Sequence, residues 1–366
     1  MKKTHSTVRV SGLFAATLLQ ALFCGAAPAL ALTNDEIFNY QGSDRDTFLQ
    51  DGARKEGTVV LYSSMIVSQV QRPIAEAFHA KYPFIDIRYW RGAANEIVAK
   101  VDAEMHANAV VADVVEGSGI SGGVGASQVA APFISKYSAV LPASYIAPDR
   151  TSITTRFRYI ALGYNTRFLA KADAPKTYQD LLDPKWRGKM AWAVDSPESG
   201  ALVTITALRA AWGDAKSEAY LAKLAPQQVA PLALSNRAVV DRVIAGEYWI
   251  GIGISAHHPI ISASKGAPTT TVLLDPVPAL SDAVQVLRGA KHPYAAMLLV
   301  DFLLSPEVQT MLQAAEYFPS NPEVQPAEIL RPIVPNNAGV PEIAITPAML
   351  ADETPKSAMM FQKFFR

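Results

Sequence analysis

The sequence predicts an α/β fold of the doubly wound, parallel-sheet type, divided into two lobes. Three observations carry this expectation. Strand and helix patterns alternate as β-α-β-α-β over about 60 residues from Gly57 to Glu116. A second β/α unit follows from about Thr166 to Thr270, and the chain then returns toward the first unit, as an inserted domain would. Finally, half of the 366 residues are hydrophobic, enough to bury the core of two such units.

In order along the chain, Gly57 to Tyr62 (GTVVLY) reads as a parallel-type strand. Ser63 and Ser64 can cap the next helix, where Ile66, Val70, Ile74 and Phe78 fall at helical spacing before Pro83. Phe84 to Trp90 is the second strand, Ala94 to His106 the second helix, and Ala109 to Val115 a third strand that ends at Glu116. Phe157 to Asn165 (FRYIALGYN) is strand-like and leads into the second unit. There, Lys189 to Val194 is a strand and the loop Asp195 to Gly200 precedes an apolar helix, Ala201 to Trp212. Pro197 suits the first turn of a helix capped by Ser196. Asn236 to Gly246 is a helix feeding a strand in which Tyr248, Ile250, Ile252 and Ile254 alternate with Trp249 and small residues, a period of two. That strand ends at two adjacent histidines, His257 and His258. Thr271 to Val277 and Ala283 to Leu287 return to the first unit, and Pro293 to Ala315 is a helix pair around Ser305. Prolines from Pro319 to Pro355 argue against long helices there. The expected division is lobe one at 32–163 and 275–366, lobe two at 164–274, with crossings near Tyr164 and Asp275.

Residues 1–31 read as a secretory signal: Lys2, Lys3 and Arg9 supply charge, Gly12 to Ala27 an apolar stretch, and Ala29-Leu30-Ala31 a small-x-small cleavage site. The mature chain would begin near Leu32, and the apolar stretch is shorter than the roughly 20 residues that a membrane span needs. Cys24, the only cysteine, falls inside this segment, so disulfides, thiol catalysis and cysteine-based zinc sites are excluded from the mature protein. Lys plus Arg and Asp plus Glu are both 33, and a net charge of zero offers no basic surface for nucleic acid.

Four strand ends gather polar chemistry: Ser63 with Ser64; Glu116 with Ser118 and Gly119; Asp195, Ser196 and Ser199; and His257 with His258. In open α/β sheets ligands bind outside the carboxyl ends of strands, and helix N-termini there favour anions. Helix capping explains any one of the four; together they outline one crevice, to which Asn236 is a further candidate. Gly117 to Gly122 matches GxGxxG, but it follows the third strand and no acidic residue stands about 20 positions on, as a nucleotide site would need. Gly119 to Gly123 matches GxSxG, and Ser121, Asp195 and His257 or His258 occur in the order of a serine-hydrolase triad. An exported hydrolase is therefore the alternative function, although the glycine-rich stretch after Ser121 starts no clear helix. Adjacent histidines diverge on a strand or helix, so one metal rarely takes both; one facing a ligand and one packing is expected, with His257 and Glu116 the residues open to a metal.

The segments EGTVVLYSS (56–64), ADVVEG (112–117), LGYN (162–165), LDPKWRGK (182–189) and FPSNP (318–322) resemble the ferric-iron-type periplasmic solute-binding proteins of ABC importers. The resemblance covers the whole mature chain. It implies a type II periplasmic-binding-protein fold, two lobes joined by two crossover strands, with closure around a solute before delivery to an inner-membrane permease. It further implies a monomer with no catalytic role and no resident cofactor. Iron-binding members carry a tyrosine pair where this sequence has His257 and His258, and iron(III) prefers phenolate and carboxylate oxygen. Relatives that bind thiamine, phosphonates or phosphorylated sugars make a small anionic solute the expectation, with a ferric chelate left open.

Overall fold

The computed structural model describes residues 1–2, 32–92, 94–117 and 129–365. Met1–Leu32 is a unit by itself, and the expected signal peptide falls almost entirely outside the described residues. The second unit, Thr33–Arg366, is the α/β body.

Its described residues form twelve strands, β1 (Thr58–Ser63), β2 (Asp86–Arg91), β3 (Val114–Gly117), β4 (Ala130–Ala131), β5 (Ile153–Asn165), β6 (Met190–Ala193), β7 (Ala230–Leu232), β8 (Ile250–Ser255), β9 (Thr269–Val272), β10 (Val277–Leu287), β11 (Phe318–Pro319) and β12 (Glu342–Ile345). The main order is β2-β1-β3-β10-β5-β8-β6-β7. At one end β2, β1 and β3 run parallel, and at the other β8, β6 and β7 do so. Between these two parallel halves lie β5 and β10, antiparallel to each other and to β8 and β3, their neighbours in that order. β5 pairs with β10 as far as Tyr159, and from Ile160 onward with β8 and β9. A single 13-residue strand therefore passes from one lobe into the other, and β10 makes the return.

Each half has its own core. Helices Arg45–Glu56, Arg72–Lys81 and Pro293–Leu304 bury Leu49, Phe78 and Phe302 against β1 and β3 in lobe one. Trp186, Trp192, Ile205 and Ile250 centre the core of lobe two. Among the described residues no single helix is long and apolar enough to cross a membrane.

Three sequence expectations are corrected. The proline-rich end holds a 19-residue helix, Pro347–Phe365, with Pro355 inside it. Its buried stripe Leu350, Thr354, Ser357 and Phe361 follows helical spacing while Pro355 faces out, so packing outweighs the missing N–H. That helix also belongs to lobe two's packing, whereas the division by sequence puts 275–366 in lobe one. Phe361 and Phe365 lie 5.6 and 4.7 Å from the Trp192 ring, and buried Arg209 of helix Gly200–Trp212 ion-pairs with Glu353 at 2.8 Å. Finally, Ser196 does not cap the apolar helix. It starts at Gly200 with Ser199 as its N-cap, leaving Pro197 in the preceding loop.

Candidate functional site

Between the lobes lies a cleft of about 350 Å³, lined on one side by Ser64 and Arg91 and on the other by Asp195, Ser196, Ser199, Asn236, His257 and His258. Arg156, Arg158 and Asp282 from the crossover strands and Tyr317 complete its floor. The strand-end expectation thus brings seven named residues together: Ser64, Asp195, Ser196, Ser199, Asn236, His257 and His258. Two others are displaced. Ser63 and Glu116 are fully buried under the floor. Ser118, Gly119 and the hydrolase candidate Ser121 lie outside the described residues.

Three helices begin at this cleft. Gly200–Trp212 starts after Ser199; Asn236–Ala245 is capped by Ser235, whose Oγ accepts from the Ala238 N–H; and His257–Ser264 starts at the end of β8. Each N-terminus presents unsatisfied N–H groups and the positive end of a helix dipole. The first is drawn close to β8 by two glycines. A Cβ on Gly200 would stand 2.1 Å from the carbonyl oxygen of Gly253, and Gly253 itself has φ +70°. No other residue pair permits that approach. The Asn236 Oδ1 accepts from the Gly200 N–H at 3.2 Å and ties two of the helix starts together.

Beneath the cleft, charges of alternating sign run from lobe one to lobe two. Glu116 Oε1 accepts from Arg156 Nε at 3.2 Å and from the Thr155 hydroxyl at 3.0 Å, while its Oε2 accepts from Ser63 Oγ at 2.6 Å. Arg156 also donates to Asp282 Oδ2 at 3.0 Å and to Ser64 Oγ at 2.9 Å. Asp282 is shared with Arg158 at 3.3 Å, and Arg158 Nη2 donates to Glu198 Oε2 at 2.7 Å. Burial pushes the Glu116 carboxyl up, Arg156 pulls it back, and Asp282 adds to the rise. Burial opposes the charge on both arginines, but their carboxylate partners more than offset it. Glu116 is therefore a structural anion sealed by three donors, not an open metal ligand.

His257 and His258 sit with ring centroids 4.3 Å apart, edge to face, and both line the cleft, so neither is merely packing. Burial, then the neighbouring His258 and the cations Arg158 and Arg156, hold His257 well below the usual imidazole range. Burial, then Arg237 and Arg158, bring His258 down to about 4. Both rings are neutral at neutral pH and can each give one hydrogen bond. Their Nδ1 atoms and the Ser199 Oγ are buried and have no partner among the described residues. The same fact leaves His257 and His258 without the Asp–His pair through Nδ1 that a triad needs. Among the described residues no group of three or more His, Cys, Asp or Glu is placed to hold a metal ion.

Sequence reasoning missed the arginines. Arg156 and Arg158 occupy one face of β5 by their spacing of two, in a strand otherwise apolar at its centre, and buried charges there had to have partners. Arg91 ends β2 and so meets the same strand-end criterion as the residues that were found. Arg237 follows Asn236 at a helix start and bonds Asp241 at 2.7 Å and Ser262 at 2.9 Å.

Two α/β lobes, two antiparallel crossover strands and a polar cleft at the carboxyl ends of their strands define a periplasmic binding protein of the type II class. Residues 73–341 match the bacterial extracellular solute-binding proteins, and the chain belongs to that family. It is accordingly a non-catalytic, periplasmic solute-binding component of an ABC importer. It is 25% identical over 183 residues to a putative 2-aminoethylphosphonate-binding periplasmic protein of Salmonella typhi, covering 46% of this chain and 52% of that one. This chain thus aligns with about half the length of that relative. In fold it is similar to iron-bound HitA from Pseudomonas aeruginosa, with a TM-score of 0.69 at 21% identity over 84% of this chain and 99% of HitA. It is similar also to AfuA from Actinobacillus pleuropneumoniae with fructose-6-phosphate bound, with a TM-score of 0.67 at 21% identity over 85% and 99%.

Proposed function

We propose that the protein captures a small organic solute through a phosphonate or phosphate oxyanion and delivers it to an inner-membrane permease. The observation that carries this reading is the convergence of three helix N-termini on a cleft that also holds arginines and hydrogen-bonding atoms without partners. Helix starts of this kind are anion sites by construction, and neutral imidazole N–H groups add donors without adding charge. A bare ferric ion, which prefers phenolate and carboxylate oxygen, would face four guanidiniums and a single tyrosine, Tyr317. The Salmonella relative's phosphonate supports the oxyanion; the structural neighbours, one holding iron and one a sugar phosphate, show that the fold by itself does not select the solute.

In this reading residues 32–163 and the segment from 275 up to the C-terminal helix form lobe one, and 164–274 form lobe two. Ser64 and Arg91 hold the solute from the first lobe, and Ser199, Asn236, His257 and His258 from the second. The lobes close because the solute touches both, the flexing points being β5 and β10 where they change partners. The protein acts as a monomer. Isothermal titration of the mature chain with 2-aminoethylphosphonate, fructose 6-phosphate and ferric citrate tests the reading. Micromolar or tighter binding of at least one phosphorus oxyanion is expected; binding of ferric citrate alone would refute it.

A further inference from the structure

For an oxyanion site, the cleft is not rich in positive charge. Four guanidiniums line it, Arg91, Arg156, Arg158 and Arg237, and so do three carboxylates, Asp195, Glu198 and Asp282. Two more carboxylates stand directly behind, Glu116 at 3.2 Å from Arg156 and Asp241 at 2.7 Å from Arg237, so five negative charges are set against four positive ones. Ser118 to Gln128, outside the described residues, contain no Lys, Arg, His, Asp or Glu, and that stretch adds no charge. His257 and His258 add none, since both rings are neutral at neutral pH. The remaining positive field comes from the three helix N-termini. Each is worth about half an elementary charge, and together they exceed the one surplus carboxylate by about half a charge. That suffices to hold one negative charge and is too little for two.

Pairing shows which carboxylate enforces the limit. Asp282 is held by Arg156 and Arg158, and Glu198 by Arg158. Asp195 has no ion pair among the described residues; its one hydrogen bond there comes from the Ser196 hydroxyl at 3.5 Å. It is exposed, just after β6 in the loop that leads to helix Gly200–Trp212, so its charge acts undiminished on whatever fills the cleft. The guanidinium of Arg91, at the end of β2, likewise has no ion pair among the described residues. A guest between the lobes therefore meets one free cation from the first and one free anion from the second. A second ionised oxygen on the same phosphorus would enter this partly desolvated space with nothing to balance it, where repulsion is several times stronger than in water.

From this we infer that the phosphorus group of the solute is bound with a single negative charge, its other acidic oxygen esterified or protonated, and that Asp195 is the residue that excludes the doubly charged form. The inference rests on the oxyanion reading above and deepens it, by naming the charge state the cleft takes.

The test is isothermal titration of the mature chain at pH 5 and pH 8 with fructose 6-phosphate and 2-aminoethylphosphonate, each beside its own methyl ester on phosphorus. With a second pKa near about 6, the two acids pass from one negative phosphorus charge to two across this range, whereas the esters keep one. Any change that the esters show reports on the protein itself and is subtracted. An acid that binds is expected to weaken by at least about tenfold from pH 5 to pH 8 relative to its ester. Asp195→Asn is expected to shrink that loss by about threefold or more. An acid that binds at pH 8 as tightly as at pH 5, or more tightly, would overturn the inference while leaving oxyanion capture standing. An unchanged loss in Asp195→Asn would overturn the role of Asp195. Tight binding of the ester alone would assign the esterified form over the protonated one. Failure of all four probes at both pH values would remove the oxyanion reading and the inference with it. A thermal melt without solute checks that Asp195→Asn, at an exposed loop position, is folded, and the wild-type comparison decides the charge state without it.

Discussion

Replacing Arg156 by Met tests whether the charges beneath the cleft support one another. The guanidinium bonds Glu116 at 3.2 Å, Asp282 at 3.0 Å and Ser64 at 2.9 Å. Met preserves much of the stem volume and removes all three contacts, leaving Glu116 fully buried without a cation. Breaking a buried pair from one side costs about 3–5 kcal/mol, because the remaining charge stays desolvated. Asp282 retains Arg158, so a loss near the lower end, about 3 kcal/mol, is expected. The pH dependence supplies the signature. Burial already raises the Glu116 carboxyl, and losing Arg156 raises it further, so the folded variant takes up a proton that the unfolded chain does not hold. A carboxyl whose pKa is raised on folding contributes stability at low pH and loses it as pH rises. The gap between variant and wild type should therefore narrow from pH 7 to pH 5 in urea unfolding followed by circular dichroism. In the Glu116→Gln background the same Arg156→Met change should cost less by about 1 kcal/mol or more. A loss under about 1 kcal/mol at pH 7, or one that is independent of pH and of Glu116, would refute the coupling.

Two further outcomes follow from the cleft's second wall. Gly253→Ala places a methyl group 2.3 Å from the Gly200 carbonyl oxygen in a backbone with φ +70°, and overpacking plus left-handed strain should cost about 3 kcal/mol in urea unfolding and weaken solute binding with it. His258 carries a depressed pKa of about 4, so stability from its neutral form is intact above the unfolded value of 6.5 and is lost as pH falls between them, by up to about 3 kcal/mol. His258→Gln should flatten that part of the stability profile, with Arg237, Arg158 and Asp241 left in place; an unchanged slope between pH 6.5 and 4 would count against a buried neutral ring.

The parallel strands and the helices after them were legible because buried strands and amphipathic helices write their periods into the chain. Gly57 to Tyr62, Lys189 to Val194 and the alternating run to Ile254 match β1, β6 and β8 to within a residue or two at most ends. The strand-end rule located most of the cleft for the same reason, since topology alone fixes where carboxyl ends meet. What it could not give was which polar residues face the gap and which lie under it. Ser63 ends β1 and Ser64 follows it directly, yet one faces Glu116 in the interior and the other the cleft, because successive side chains alternate along an extended chain. The C-terminal helix was hidden behind Pro355, whose cost is local while the stripe that outweighs it is spread over about three turns of the helix.

Charge pairing bears on how such a protein gives up its cargo. A carrier must hold its solute firmly when closed and release it when the lobes part, and fully available arginines would oppose release. Here the arginine nearest the hinge is held by resident carboxylates, Arg158 by Glu198 at 2.7 Å and by Asp282 at 3.3 Å, so its charge is paired in the empty cleft. In the proposed reading the helix ends, the imidazoles and Ser199 all belong to lobe two, and Ser64 and Arg91 of lobe one complete the hold only while both lobes surround the guest. On that account, parting the lobes costs the solute its contacts with lobe one while the floor of the cleft stays electrostatically intact.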